Sequence, residues 1–124
     1  MFGAKINRQP GPLNEDALQM LRDKGLKKFA KVITSDDTYL GEVVHLRLRM
    51  GEADVDLKLY AAYLDVTRLE IGARYYVPTD FVAGYEPEEE RVVLSVPFSV
   101  VQDESWDRQP QFIAGHLDQV EALA

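Results

Sequence analysis

Cysteine is absent from the 124 residues. This excludes disulfides, thiolate metal sites and a cysteine nucleophile, and it suits a reducing compartment. Histidine occurs twice, at His45 and His116, and tryptophan once, at Trp106. Apolar runs stay short of the roughly 20 residues that cross a bilayer. The opening MFGAKINRQPGPL lacks the apolar core of a signal peptide. A soluble, cytoplasmic protein without membrane insertion is therefore expected. Positive charge is also scarce. Against 21 Asp and Glu stand 14 Lys and Arg, a formal charge of -7, which opposes general attraction to nucleic acid or an anionic membrane.

What is there is ordinary globular composition, 46% hydrophobic and 28% charged, in a chain long enough to build one core. Residues 1–25 read as a loose Gly- and Pro-containing arm followed by a short helix. In NEDALQMLRDKG, Asn14 is a suitable N-cap, Glu15 and Asp16 suit the positive end of the helix dipole, and Gly25 is a stop. Leu18 and Leu21 give that helix an apolar stripe.

The period then changes from helical to twofold. FAKVIT, the polar turn SDDT and YLGEVVHLRLRM predict strand, turn and strand. A two-residue turn at Gly51 and Glu52 would set Arg49 against Asp54, Leu48 against Val55, Arg47 against Asp56, Leu46 against Leu57 and His45 against Lys58. On this reading the His45, Arg47 and Arg49 face is a solvated one, its arginines neutralised across the strands. Asp65 to Ile71 reads as a connection with a turn at Gly72, and Arg74 to Val77 as a strand ending at Pro78, where no amide donor is needed. VPTDFVAGYEPEEERVVLSV joins two apolar runs through Gly84, Pro87 and four glutamates. Calcium loops space their ligands around an obligatory glycine, and EPEEER does not, so it reads as a hairpin turn. Beyond Pro97 the period is lost. Trp106, alone among polar neighbours, reads as a lid over one end of the fold. In residues 111–124, Ile113, Leu117, Val120 and Ala124 fall at helical spacing, weakened by Gly115, and give a marginal C-terminal helix.

Chemistry-bearing motifs are missing. There is no G-x-S-x-G, phosphate loop, dinucleotide fingerprint, H-E-x-x-H or spaced metal-ligand set. His45 sits in a strand and His116 in the tail, so neither is offered a nucleophile. No enzyme activity and no cofactor are expected.

In order and spacing, the run KKFAKVITSDDTYLGEVVHLRLR, then ARYYVPTDFV, RVVLSVPFSVV and SWDRQP resembles the PRC-barrel domain, in particular its small stand-alone bacterial members. Gly41, Tyr76, Val77, Pro78, Phe81, Val82, Val92 to Val96 and Trp106 carry the match, over about residues 26–110. The tyrosine-rich AAYLDVTRLEIGARYY departs from the family's usual glycine-containing approach to V-P. The resemblance implies a mainly β fold, a small, strongly bent antiparallel barrel of about six strands, to which the residues outside the match add the short N-terminal helix and the marginal C-terminal one. It also implies a protein-binding adaptor role, as in the cytoplasmic domain of photosynthetic reaction-centre H subunits and the C-terminal domain of ribosome maturation factors. The family has no shared catalytic residues to carry over.

The leading expectation is thus a non-enzymatic adaptor that binds another protein or forms a homodimer, with Trp106, Phe112, Ile113, Leu117 and Val120 as candidate contacts. A second is a small-molecule-binding barrel with a mouth lined by Tyr60, Tyr63, Tyr75 and Tyr76. A third is ribosome or RNA association through Lys24, Lys27, Lys28 and Lys31, which the acidic total disfavours.

Overall fold

The computed structural model describes residues 15–49, 60, 62–110 and 118–124. The predicted arm, the Asn14 cap, the Gly51–Glu52 turn and the contacts Phe112, Ile113 and Leu117 lie outside them. The chain is mainly β: helix α1 (Glu15–Asp23), strands β1 (Lys31–Ile33), β2 (Tyr39–Arg49), β3 (Ala62–Arg68), β4 (Ala73–Pro78), β5 (Val82–Glu86) and β6 (Arg91–Leu94), helix α2 (Phe98–Asp103) and strand β7 (Asp118–Ala122). Among the described residues the seven strands form one sheet in the order β4-β3-β2-β1-β6-β5, with β7 also on β2.

Helix α1 stops where its sequence says. Gly25 takes a φ of 74°. The Leu26 amide donates to Leu21 O at 2.9 Å and the Gly25 amide to Arg22 O at 3.0 Å, the paired bonds of a left-handed C-terminal cap. Leu18, Leu21 and Leu26 are buried where α1 packs on β5 and the turn Thr79–Phe81.

The hairpin of β5 and β6 pairs Tyr85 with Val92 and Glu86 with Arg91, so the glutamates do form the turn. Arg91 Nε donates to Glu86 Oε1 at 2.6 Å and Arg91 Nη2 to Glu89 Oε1 at 2.7 Å. Those contacts hold the Glu86 carboxyl below its ordinary range. Lys27 approaches Glu90 at 3.9 Å.

Strand β2 organises the sheet. One edge pairs with β3, with Leu46 opposite Leu64, Arg47 opposite Tyr63 and Leu48 opposite Ala62. The other edge is divided end to end. Tyr39, Gly41 and Glu42 face β1, and His45 to Arg49 face β7. The expected pairing of Leu46, Arg47 and Leu48 with residues 55–57 is thereby corrected. Both edges of β2 are occupied at those positions, and an alternating strand matches any alternating partner in chemistry.

Three further expectations change. The sheet is mixed, because β1 and β6 run parallel, Val32 against Val92; the β5–β6 hairpin brings β6 back to β1 already running the same way. Asp65 to Arg68 belong to β3 rather than to a connection, which shortens to the turn Leu69–Ile71 closed by left-handed Gly72. The tail from Asp118 is a strand, since a ladder of five residues on β2 satisfies its backbone where a short isolated helix would be marginal. No ladder joins β4 to β5 among the described residues. The sheet is nevertheless strongly curved. Six strands laid flat would separate β4 from β5 by about 24 Å, yet the four Cα steps from Pro78 to Val82 reach at most about 15 Å. No helix of the described residues is long and apolar enough to cross a membrane.

Gly41 allows the backbone of β2 to pass close to that of β3. Its φ is 142°, and a Cβ there would meet the Thr67 carbonyl and lie 2.9 Å from Arg68 N. Those are backbone atoms that cannot rotate away. Gly41→Ala should destabilise the fold by about 3 kcal/mol, read as a lowered urea midpoint with an unchanged slope.

Candidate functional site

Alternation along β3 should send its side chains to opposite faces, one apolar and one polar. Instead Ala62 to Val66 are all buried, so the lone acid in YLDV is inside. The Asp65 side chain has no exposed surface. It survives there because two cations from neighbouring strands converge on it. Arg47 Nε, from β2, donates to Oδ2 at 2.9 Å. Arg74, from β4, donates through Nε to Oδ1 at 2.9 Å and through Nη2 to Oδ2 at 2.6 Å. Burial pushes the Asp65 carboxyl up, but the hydrogen bonds from Arg74 and Arg47 outweigh it and leave the group below its ordinary value. The same bonds raise Arg74. His45 Nδ1 stands 4.0 Å from Asp65 Oδ2, beyond hydrogen-bonding distance.

Arg74 is the most exposed member of this cluster, with 48% of its side chain exposed. The Tyr76 ring lies beneath it, 5.3 Å from centroid to guanidinium carbon, a cation–π contact that further fixes the side chain. With Nε and Nη2 committed to Asp65, the Nη1 side of the planar fork points away from the carboxylate.

Arg74 also lines a half-open cleft of about 640 Å³ between β4 and α2. Its walls include Arg74, Tyr75, Phe98, Gln102, Ser105 and Arg108, and the volume is within the range of ligand sites. Helix α2 is held in place from a distance. Its first amide, Phe98 N–H, donates to Asp36 Oδ1 at 3.2 Å, so an acid in the SDDT turn serves as a cap that Pro97 cannot provide. Asp36 also accepts from the Thr34 hydroxyl, and this bond first among others keeps its carboxyl low. At the other end Ser105 takes a φ of 56°. The Trp106 amide bonds Val101 O at 3.2 Å, and the Ser105 amide bonds Gln102 O at 3.1 Å, a second left-handed cap.

The predicted contacts scatter. Trp106 is 5% exposed and packs on Phe81, with ring centroids 4.9 Å apart, so its indole lies in the interior. Val120 is 45% exposed on β7. Of the four tyrosines only Tyr75 lines the cleft. Tyr60, Tyr63 and Tyr76 are buried, Tyr60 edge-on to both Tyr63 and Phe81. The lysines do not form one free patch either, since Lys24 Nζ reaches Tyr85 O at 3.4 Å and Lys27 faces Glu90. Sequence reasoning missed Asp65, Arg74 and α2. A signal for the first was present: a single carboxylate inside the apolar run YAAYLDV requires a buried partner if the run is a strand. It also missed Leu69 and Ile71, exposed at the β3–β4 tip beside the cleft.

No family model matches the sequence, and no curated protein or solved structure is significantly similar to the chain.

The carboxylate cluster makes a signed prediction. A carboxyl held low in the fold contributes stability that is fully present above its unfolded pKa, near 4, and that is lost as pH falls through the folded value. Asp65→Asn should cost about 3 kcal/mol at pH 7, because it leaves two guanidinium groups facing a neutral amide. The difference between wild type and variant should shrink below pH 4, as followed by urea denaturation across pH.

Proposed function

We propose that this protein is a non-enzymatic interaction adaptor, built on a strongly bent β-sheet of PRC-barrel type, that binds a partner protein beside the outer edge of β4. One observation carries the reading: the outer edge of β4 has backbone groups directed away from the sheet, and a cleft runs along it. The Tyr76 amide donates outward to Trp106 O at 2.7 Å, so Asp65 and Tyr76 are a pair that exchanges no ladder bonds. The alternation of an antiparallel ladder then turns the Arg74 amide and carbonyl outward as well. Pro78 falls at the next outward position, where its missing N–H costs nothing.

The short link across Thr79–Phe81 supports the barrel-like curvature, and α1 packed over that link covers the seam. A compact sheet with one cleft-bordered edge suits recognition rather than catalysis.

A photo-crosslinking amino acid at Gln102, in the cleft, should capture a partner protein from the native cell extract at a yield well above that from the same group at Glu88, in the far turn. Capture of no protein from either position would overturn the adaptor reading.

A further inference from the structure

We infer that the cleft between β4 and α2 takes a short, extended peptide segment bearing a carboxylate, which pairs its backbone with Arg74 and sets the carboxylate between Arg74 and Arg108. This inference rests on the adaptor reading and specifies the partner chemistry at the same edge.

The backbone argument is one of supply. On β4 the outward positions are Arg74, Tyr76 and Pro78. Tyr76 has its amide taken by Trp106 O, and Pro78 has none to give. Among the described residues the Arg74 amide and carbonyl therefore form the available donor and acceptor pair, and one residue of an extended ligand satisfies both. Strand addition of this kind uses main-chain bonds for affinity and flanking pockets for selectivity. The neighbouring carbonyl of Trp106 already occupies the edge in that manner, so the chain itself demonstrates the geometry. The single available pair implies a short segment rather than a long added strand.

Charge selects the ligand. Asp65 offsets one of the two cations it holds, so the cluster of Arg47, Asp65 and Arg74 is net positive within a chain of net charge -7. Arg74 and Arg108 line the cleft with Asp107 as the opposing acid. Because Asp65 and the Tyr76 ring fix the Arg74 fork before any ligand arrives, little side-chain entropy remains to be lost on binding. A planar guanidinium on a residue that lines a cleft is suited to a carboxylate. The Tyr75 and Phe98 surfaces beside it offer apolar contact to the residues on either side.

The test uses the full chain and two displayed libraries of random twelve-residue peptides, one with free C-termini and one with blocked C-termini. Enrichment from both libraries of peptides with Asp or Glu supports a side-chain carboxylate, and enrichment from the free-ended library alone supports a terminal one. Bound peptides should shift the amide resonances of Arg74 and Tyr75. Arg108→Gln, at an exposed site that should leave the melting temperature unchanged, should weaken them about fivefold. N-methylation along the peptide should abolish binding at the residue paired with Arg74 and spare its neighbours. Empty selections, acidic residues replaceable by Asn or Gln without loss, or shifts confined to other faces would overturn the inference. Partner capture from Gln102 together with empty selections would sink the peptide assignment while leaving the adaptor reading in place. Failure of both would remove the reading itself.

Discussion

A carboxylate stripped of water must find compensating charge or give up its own, and the arrangement around Asp65 follows from that requirement. Its two oxygens receive three hydrogen bonds from Arg47 and Arg74, donors that belong to the strands on either side. The cluster thus ties β2, β3 and β4 together across the sheet face. Replacing such a buried set with well-packed apolar side chains is often neutral for stability. What the ionic version adds is position: Arg74 is fixed in orientation at a place where the sheet edge meets a cleft.

The rest of the fold serves that edge. Strand β2 changes partners between Glu42 and His45, so that β1 and β7 divide one side while β3 takes the other. The resulting curvature brings β4 round to β5 within the reach of a three-residue turn. Helix α1 covers the seam, and the Arg22–Glu121 pair at 2.6 Å fastens it to β7. Asp36 reaches from the β1–β2 turn to the start of α2, so the second wall of the cleft is anchored to the centre of the sheet rather than to its own neighbours in sequence.

How much of this was legible depended on how local each cause is. The Gly25 stop, the SDDT turn and the glutamate turn closed by Arg91 are decided within a few residues, and the sequence announces them. Pro78 marks an outward-facing position by chemistry alone. Register was a different matter. The alternation in HLRLR fits residues 53–58 as well as it fits β3, and only the occupation of both edges of β2, by β3 and by β7, selects between them. Strand β7 carries little β signal in DQVEA because its pairing with β2 is a backbone matter. Helix α2 was hidden because its cap comes from Asp36, some sixty positions earlier. Asp65 was legible in principle, as a lone acid in an apolar run, but its partners Arg47 and Arg74 become neighbours only once three strands are aligned.

The central claim is that Asp65 is ionised in the interior and holds Arg74 in place through that charge. Carbon-13 detection of the Asp65 carboxyl during an acid titration of the folded protein measures this directly. The account predicts a midpoint below the ordinary carboxylate value of 3.8, with the Arg74 Nε–H signal broadening over the same pH range. A midpoint at or above that value, or an Arg74 signal indifferent to the Asp65 titration, would contradict it.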